Sequence, residues 1–181
     1  MIIRPAAQDD LPAILAIYND AVLTSTAIWN WTTVDLANRQ AWFEARRAQA
    51  YPILVANLDG MAIGYASFGD WRPFDGYRFT VEHSVYVAGA ARGKGAGLAL
   101  LAALIEAAKA SGKHVMLGGV DATNEASLAL HRRLGFVETA RMPQVGQKFG
   151  RWLDLVFMQK MLGEPSGLGP RADLGPKTNA P

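Results

Sequence analysis

The stretch Arg92-Gly93-Lys94-Gly95-Ala96-Gly97-Leu98 decides how the chain is read. It follows a β-rich run, Phe79 to Val87, and opens a strongly helical pattern, Leu98 to Ala110, with Leu98, Leu101, Ala102 and Ile105 on one stripe. Glycines let the backbone turn so that successive N–H groups converge, and the start of a helix adds partial positive charge. Together they form a seat for a diphosphate, with Arg92 and Lys94 supplying full charge. Two better-known phosphate motifs do not fit. A P-loop requires Ser or Thr after Gly-Lys, and Lys94 is followed by Gly95; a dinucleotide fingerprint starting at Gly93 requires a glycine where Leu98 stands. Taken alone, the turn also reads as a tight helix start.

Outward from this turn, strand and helix patterns alternate. Ile2 to Arg4 is a short strand closed by Pro5; Asp9 and Asp10 are placed to cap a helix with Pro12 in its first turn and Leu11, Ile14, Leu15, Tyr18 and Val22 at helical spacing. Thr33 is placed to cap a second helix, with Leu36, Trp42 and Phe43 inward and Arg39, Glu44, Arg46 and Arg47 outward. Pro52–Leu58 and Met61–Phe68 are strands joined by Asp59-Gly60, a hairpin signal. Asp70–Arg78 reads as an unusually aromatic loop, Val115–Val120 as a strand, Asn124–Leu134 as a helix, and Phe136–Met161 as two strands around Gly146–Gly150. The fold class is mixed α/β, with strands paired antiparallel first and then linked by crossover helices.

The chain has 181 residues, of which 50% are hydrophobic and 19% charged, enough apolar side chain for the core of one domain. Eighteen basic residues face 16 acidic ones, for a net charge of +2, which argues against a dedicated nucleic-acid binder. With no cysteine, a disulfide framework and a thiolate site are excluded. His83, His114 and His131 lack metal-ligand spacing, no Gly-x-Ser-x-Gly elbow occurs, and no metal is expected. The longest apolar run, Ala96 to Ile105, falls short of the ~18 residues of a membrane span. The acidic beginning lacks a secretory pattern, so the expected address is the cytoplasm, with no membrane partner. Residues 1–162 are expected to form the domain, and 163–181, rich in Pro and Gly, a disordered solvated tail.

Arg92-x-x-Gly95-x-Gly97 resembles the arginine/glutamine-x-x-glycine-x-glycine/alanine signature of the GCN5-related N-acetyltransferases (GNAT). Asn124, Ser127, Leu130-His131 and Gly135-Phe136 match that family's second landmark, and the likeness runs over roughly residues 1–162. The stretches Ser67–Arg72, Phe79–Val87 and Lys148–Asp154 are similar to the phosphinothricin and methionine sulfoximine acetyltransferases. The resemblance implies a mostly antiparallel, twisted sheet flanked by helices and splayed between Val81–Val87 and Val115–Val120, with acetyl-CoA in the gap. Val85, Tyr86 and Val87 would then meet the pantetheine arm as an added strand. The amides of Gly93, Lys94, Gly95, Ala96, Gly97 and Leu98, with Arg92, would meet the diphosphate, and Asn124 the arm. Arg133 would meet a nucleotide phosphate or remain a solvated surface charge. It also implies a small amino-acid acceptor and a homodimer whose loops border the acceptor site.

Acyl transfer to an amine needs a neutral nitrogen, whereas an aliphatic ammonium is largely protonated at neutral pH. A base beside the nucleophile solves this. Strand alternation sets Phe79, Val81, His83, Val85 and Val87 on one face and Thr80, Glu82, Ser84 and Tyr86 on the other. Glu82, a carboxylate in mid-strand, is the expected catalytic base, directly or through a water; its alternative is a solvent-facing strand carboxylate. His83 reads as a packed core histidine. His131 stands where many relatives carry a tyrosine that reprotonates the departing thiolate, and either serves as that acid or no dedicated acid exists. Arg72 and Arg78 offer forked donors for an acceptor's oxyanion, Phe74 and Tyr77 an apolar wall, and Asp75-Gly76 backbone groups. Trp29, Trp31 and Lys148–Trp152 read as pocket, subunit-contact or core residues. Two rivals stay open: a non-catalytic module that binds CoA, and an acetyltransferase acting on a protein N-terminus or another amine.

Overall fold

A computed structural model describes residues 1–163. Seven strands, β1 (Ile2–Pro5), β2 (Ile53–Leu58), β3 (Met61–Asp70), β4 (Thr80–Val87), β5 (Val115–Asp121), β6 (Val137–Lys148) and β7 (Arg151–Met161), form one sheet in the order β1-β2-β3-β4-β5-β7-β6. Every neighbouring pair is antiparallel except β4 and β5. Those two run parallel because α3 (Ala96–Ala110) crosses between them, as parallel neighbours require. The helices α1 (Leu11–Thr24), α2 (Leu36–Ala48) and α4 (Glu125–Arg133) complete the layers. Among the described residues, no helix is long and apolar enough to cross a membrane. The expected tail lies, apart from Gly163, outside the described residues.

Strand alternation builds two cores. Ile53, Val55 and Tyr65 face α1 and α2, where Ile14, Ile17 and Phe43 pack on them. Ala56, Ala66, Phe68 and Val81 face the other way and pack with Leu100, Leu104 and Ala108 of α3 and Leu128 of α4.

Four local expectations are corrected. Asp35, not Thr33, caps α2, accepting from the Asn38 N–H at 2.8 Å. On that helix Arg39 is buried while Leu36 is exposed. The Arg39 guanidinium stacks 4.2 Å from the Tyr18 ring centre and donates to Asn38 Oδ1, so aromatic faces replace its water. Asp10 stands before α1 without capping it; its carboxylate accepts from Arg4, at 2.7 and 2.8 Å, and from the Ala7 N–H. In α3 the fully buried positions are Leu100, Leu101, Leu104 and Ala108, while Leu98 and Ala102 are only half-buried. A helix apolar nearly all round carries too little contrast to fix its own phase, and docking on the sheet sets it.

Leu104 has no exposed surface and sits at the centre of the α3 contact. Leu104→Ala is expected to lower unfolding free energy by about 2–5 kcal/mol, read as a shifted denaturant midpoint at unchanged slope.

Candidate active site

The sheet opens at one point. β4 and β5 are paired only through Thr80↔Val115, Val81↔Met116 and Glu82↔Leu117. Beyond Glu82, β4 stays with β3 and β5 stays with β7, so the two strands part. A cleft of about 820 Å³ fills the gap, bordered by Glu82–Val87, Gly119–Asp121, the turn ahead of α3, α4 and the loop Ser25–Trp29. The hydrogen bonds from Ala88 N–H to Ile63 O and from Trp71 N–H to Thr80 O show that the even residues of β4 direct their main-chain groups at β3. Phe79 O accepts instead from His114 and Val115, on the β5 side. By alternation Val85 and Val87 turn their N–H and C=O groups into the cleft, where Arg92 Nε donates to Val87 O at 3.3 Å.

Gly93 and Gly95 take φ of +75° and +85°, the left-handed region, which explains glycine at both positions. The first helical hydrogen bond of α3 runs from Ala99 N–H to Gly95 O. The N–H groups of Ala96, Gly97 and Leu98 therefore have no partner within the helix and border the cleft. Lys94 is exposed and does not line it. Asn124 caps α4 with Oδ1 on the Ser127 N–H, leaving Nδ2 as its remaining donor. Arg133 lines the cleft from the exposed end of α4.

Glu82 is half-buried, and burial raises its pKa, an effect opposed by the charge of Arg72. On the opposite face of β4, His83 is buried and its Nε2 lies 3.0 Å from His131 Nε2. Burial pushes His83 down to about 3, with His131 as the second cause, and burial also lowers His131.

The structure thus brings Glu82, Val85, Tyr86, Val87, Arg92, Gly93, Gly95, Ala96, Gly97, Leu98, Asn124, His131 and Arg133 around one cleft. The expected acceptor residues lie elsewhere on the chain. Arg72 stacks on Trp71, 4.8 Å from the ring centre, close enough to act on Glu82 without lining the cleft. Phe74, Asp75, Gly76, Tyr77 and Arg78 are exposed, with Arg78 stacked 4.4 Å over Phe79. Among the described residues, no group of three or more His, Cys, Asp or Glu is placed to hold a metal ion.

Gly118, Gly119 and Asp121 are contributors that the sequence reading lacks, whereas Trp29 and Lys148 are among its pocket, subunit-contact or core residues. Gly118 and Gly119 make room in mid-strand: a Cβ on Gly118 would lie 2.6 Å from His83 Nε2, and one on Gly119 would lie 3.2 Å from Glu82 Oε1. Paired glycines inside an otherwise β-rich run were the available signal. Buried Lys148 donates from Nζ to the carbonyls of Ser25 and Ile28. It thereby holds the loop that sets Trp29 on the cleft wall, and a Cβ on Gly146 would lie 2.2 Å from the Trp29 ring. Asp121 closes the cleft end. Burial raises its pKa, but the Thr26 and Thr123 hydrogen bonds and Arg151 outweigh this and hold its carboxyl below the usual range.

An open strand edge beside converging helix amides suits a ligand that carries both amides and phosphates. A carboxylate raised by burial suits proton removal from an ammonium. Residues 14–136 match the model of the acetyltransferase (GNAT) family. Over 158 residues, 87% of this chain and 92% of the relative, the chain is 66% identical to an L-methionine sulfoximine/L-methionine sulfone acetyltransferase of Pseudomonas aeruginosa. It is 59% identical to an L-amino acid N-acyltransferase of Escherichia coli, covering 93% of this chain and all of that one. The fold superposes with a TM-score of 0.89 on an acetyltransferase from Salmonella typhimurium with its cofactor acetyl-CoA, at 59% identity, covering 90% of this chain and 94% of that one. A family model matched across the splayed sheet, and relatives this similar over most of their length, place the chain in the GNAT acetyltransferase family.

Proposed function

We propose that this acetyltransferase moves the acetyl group of acetyl-CoA onto the α-amine of a small amino acid whose side chain carries an oxidised sulfur or phosphorus, of the methionine sulfone, methionine sulfoximine and phosphinothricin type. The observation that carries the reading is the position of Glu82, a carboxylate raised by burial at the last paired residue before the open edge of β4. Val85 and Val87 offer N–H and C=O groups to the amides of the pantetheine arm, and Asn124 Nδ2 donates from the facing wall. The amides of Gly93 to Leu98 take the diphosphate, with the charges of Arg92 and Lys94 beside them.

Glu82 takes the proton from the incoming ammonium, directly or through one water. The neutral nitrogen then forms its bond to the thioester carbonyl carbon as the C–S bond breaks, and an N–H near Val85 holds the charge that gathers on oxygen. The pair of electrons leaves with sulfur as a thiolate, and the second amine proton passes to solvent, or to Glu82 once it has released the first. Oxygens on the acceptor side chain suit the forked donors of Arg72 and Arg78, against Phe74 and Tyr77.

Because these loop residues lie off the cleft of their own protomer, the reading includes a homodimer in which loops of both copies complete the acceptor site. Trp31, Phe149 and Trp152 are more than half exposed around the β6–β7 turn, where Trp31 Nε1 donates to Gln147 O at 3.1 Å, and they form an apolar surface suited to burial against a second copy.

Release of free thiol from acetyl-CoA is expected with methionine sulfone, methionine sulfoximine or phosphinothricin; no release with any amino acid overturns the reading. Glu82→Gln is expected to lower kcat by about 10²–10⁴-fold with CoA affinity retained. Since Glu82 works deprotonated and its folded pKa is raised, kcat/KM should climb with pH through a range above the ordinary carboxylate value of about 4.3. The variant should lose that limb and keep only the dependence set by the amine itself. Replacing Trp152 by Glu should convert the dimer to a monomer in sedimentation; a wild-type chain that sediments as a monomer refutes the shared site.

A further inference from the structure

Two buried histidines remain outside the chemistry assigned above. His83 is the first residue of β4 past the last β4–β5 pair, and His131 lies in the last turn of α4. Their rings lie 5.0 Å apart between centres at 25°, with Phe136 edge-on to both. Gly118 leaves the space they occupy, and Glu82, the nearest carboxylate on β4, points from the opposite face of the strand.

The hydrogen bonds fix where the protons sit. His131 Nδ1 lies 2.7 Å from Ser127 O, and a carbonyl only accepts, so Nδ1 carries the hydrogen. A neutral His131 then presents a lone pair at Nε2, and His83 Nε2–H donates to it at 3.0 Å. This leaves His83 Nδ1 as a buried lone pair with no partner among the described residues. The alternative, His131 protonated on both nitrogens, places a buried cation in an apolar setting and turns His83 Nδ1 into an unpaired N–H donor. A buried unpaired donor is rarer and more costly than an unpaired acceptor. Both nitrogens of His131 are thus occupied, and neither is free to face a sulfur atom.

We infer that His83 is a positioning residue: by consuming the one lone pair of His131 it latches β4 to α4 across the opening of the sheet, and His131 is not the acid that reprotonates the thiolate. Among the described residues, this is the side-chain hydrogen bond that joins β4 to α4. The latch sets the distance from Val85 and Val87 to Asn124, the two walls that the cofactor arm touches in the function proposed above, and to that extent it rests on that reading. The assignment of protons does not.

Nitrogen-15 histidine spectra of the full chain, free of ligand, test the protons directly. Both rings should titrate below the ordinary histidine value of about 6.5, with neutral His131 protonated on Nδ1 and neutral His83 on Nε2. A His131 that titrates at or above that value, or whose neutral form carries its proton on Nε2, overturns the inference. Calorimetry with CoA tests the latch independently of any acceptor. His83→Phe, which keeps the volume and removes the donor, should weaken CoA binding about tenfold, and His83→Gln, which restores an N–H at the same reach, should recover most of the loss. Unchanged CoA affinity in His83→Phe refutes the positioning role. If His131→Gln slows turnover with acetyl-CoA and an acetyl thioester of a more acidic thiol restores the rate, an acid role is established and the inference fails. If no amine is acetylated, the proposed function fails, while the spectra and the CoA affinities still decide the latch.

Discussion

The parting of β4 and β5 after Glu82 and Leu117 is the constraint on which the site depends. An unpaired strand edge is usually a liability, because its N–H and C=O groups lose water without gaining a partner. Here the edge is kept open by what lies between the strands. Gly118 gives its side-chain space to the two histidine rings, and Gly119 gives its own to the Glu82 carboxylate. The α3 crossover then brings its free amide ends to the mouth of the same opening, so one topological fault supplies both the strand edge and the unpaired helix amides. Closing the sheet by full pairing would remove both.

The period of a strand divides the electrostatics. Glu82 and His83 are sequence neighbours, yet they face opposite sides of β4 and respond to burial in opposite senses. Desolvation disfavours charge in each, so it raises the carboxylic acid and lowers the imidazole. The result is a carboxyl group that holds its proton to a higher pH than an ordinary carboxylate, beside an imidazole that stays neutral. The charge of Arg72 limits the rise of the Glu82 pKa.

The wall of the cleft formed by the Ser25–Trp29 loop is assembled over long sequence distances. Lys148, at the end of β6, reaches the carbonyls of Ser25 and Ile28; Gly146 accommodates the ring of Trp29; and Trp31 binds Gln147 O. Burial lowers the pKa of the Lys148 ammonium, but two carbonyl acceptors hold the charge in place. The loop between α1 and α2 thus owes its position to the last hairpin of the sheet.

What the sequence determined by itself was local. The turn Arg92–Gly97 is legible because positive φ demands glycine, the Asp59-Gly60 hairpin because of its turn chemistry, and the place of Glu82 because a strand alternates with a period of two. The arrangement of these pieces into a splayed sheet entered through family resemblance, not through periodicity. Tertiary structure alone decided what two distant segments share. It chose the phase of α3, whose sequence is apolar nearly all round, and buried Arg39, whose charge needed the Tyr18 and Trp42 rings to stack on. It also joined His83 to His131 across 48 positions and emptied the space beside them at Gly118. Contacts of that kind depend on where two backbones come to rest, and no single stretch of residues encodes that distance.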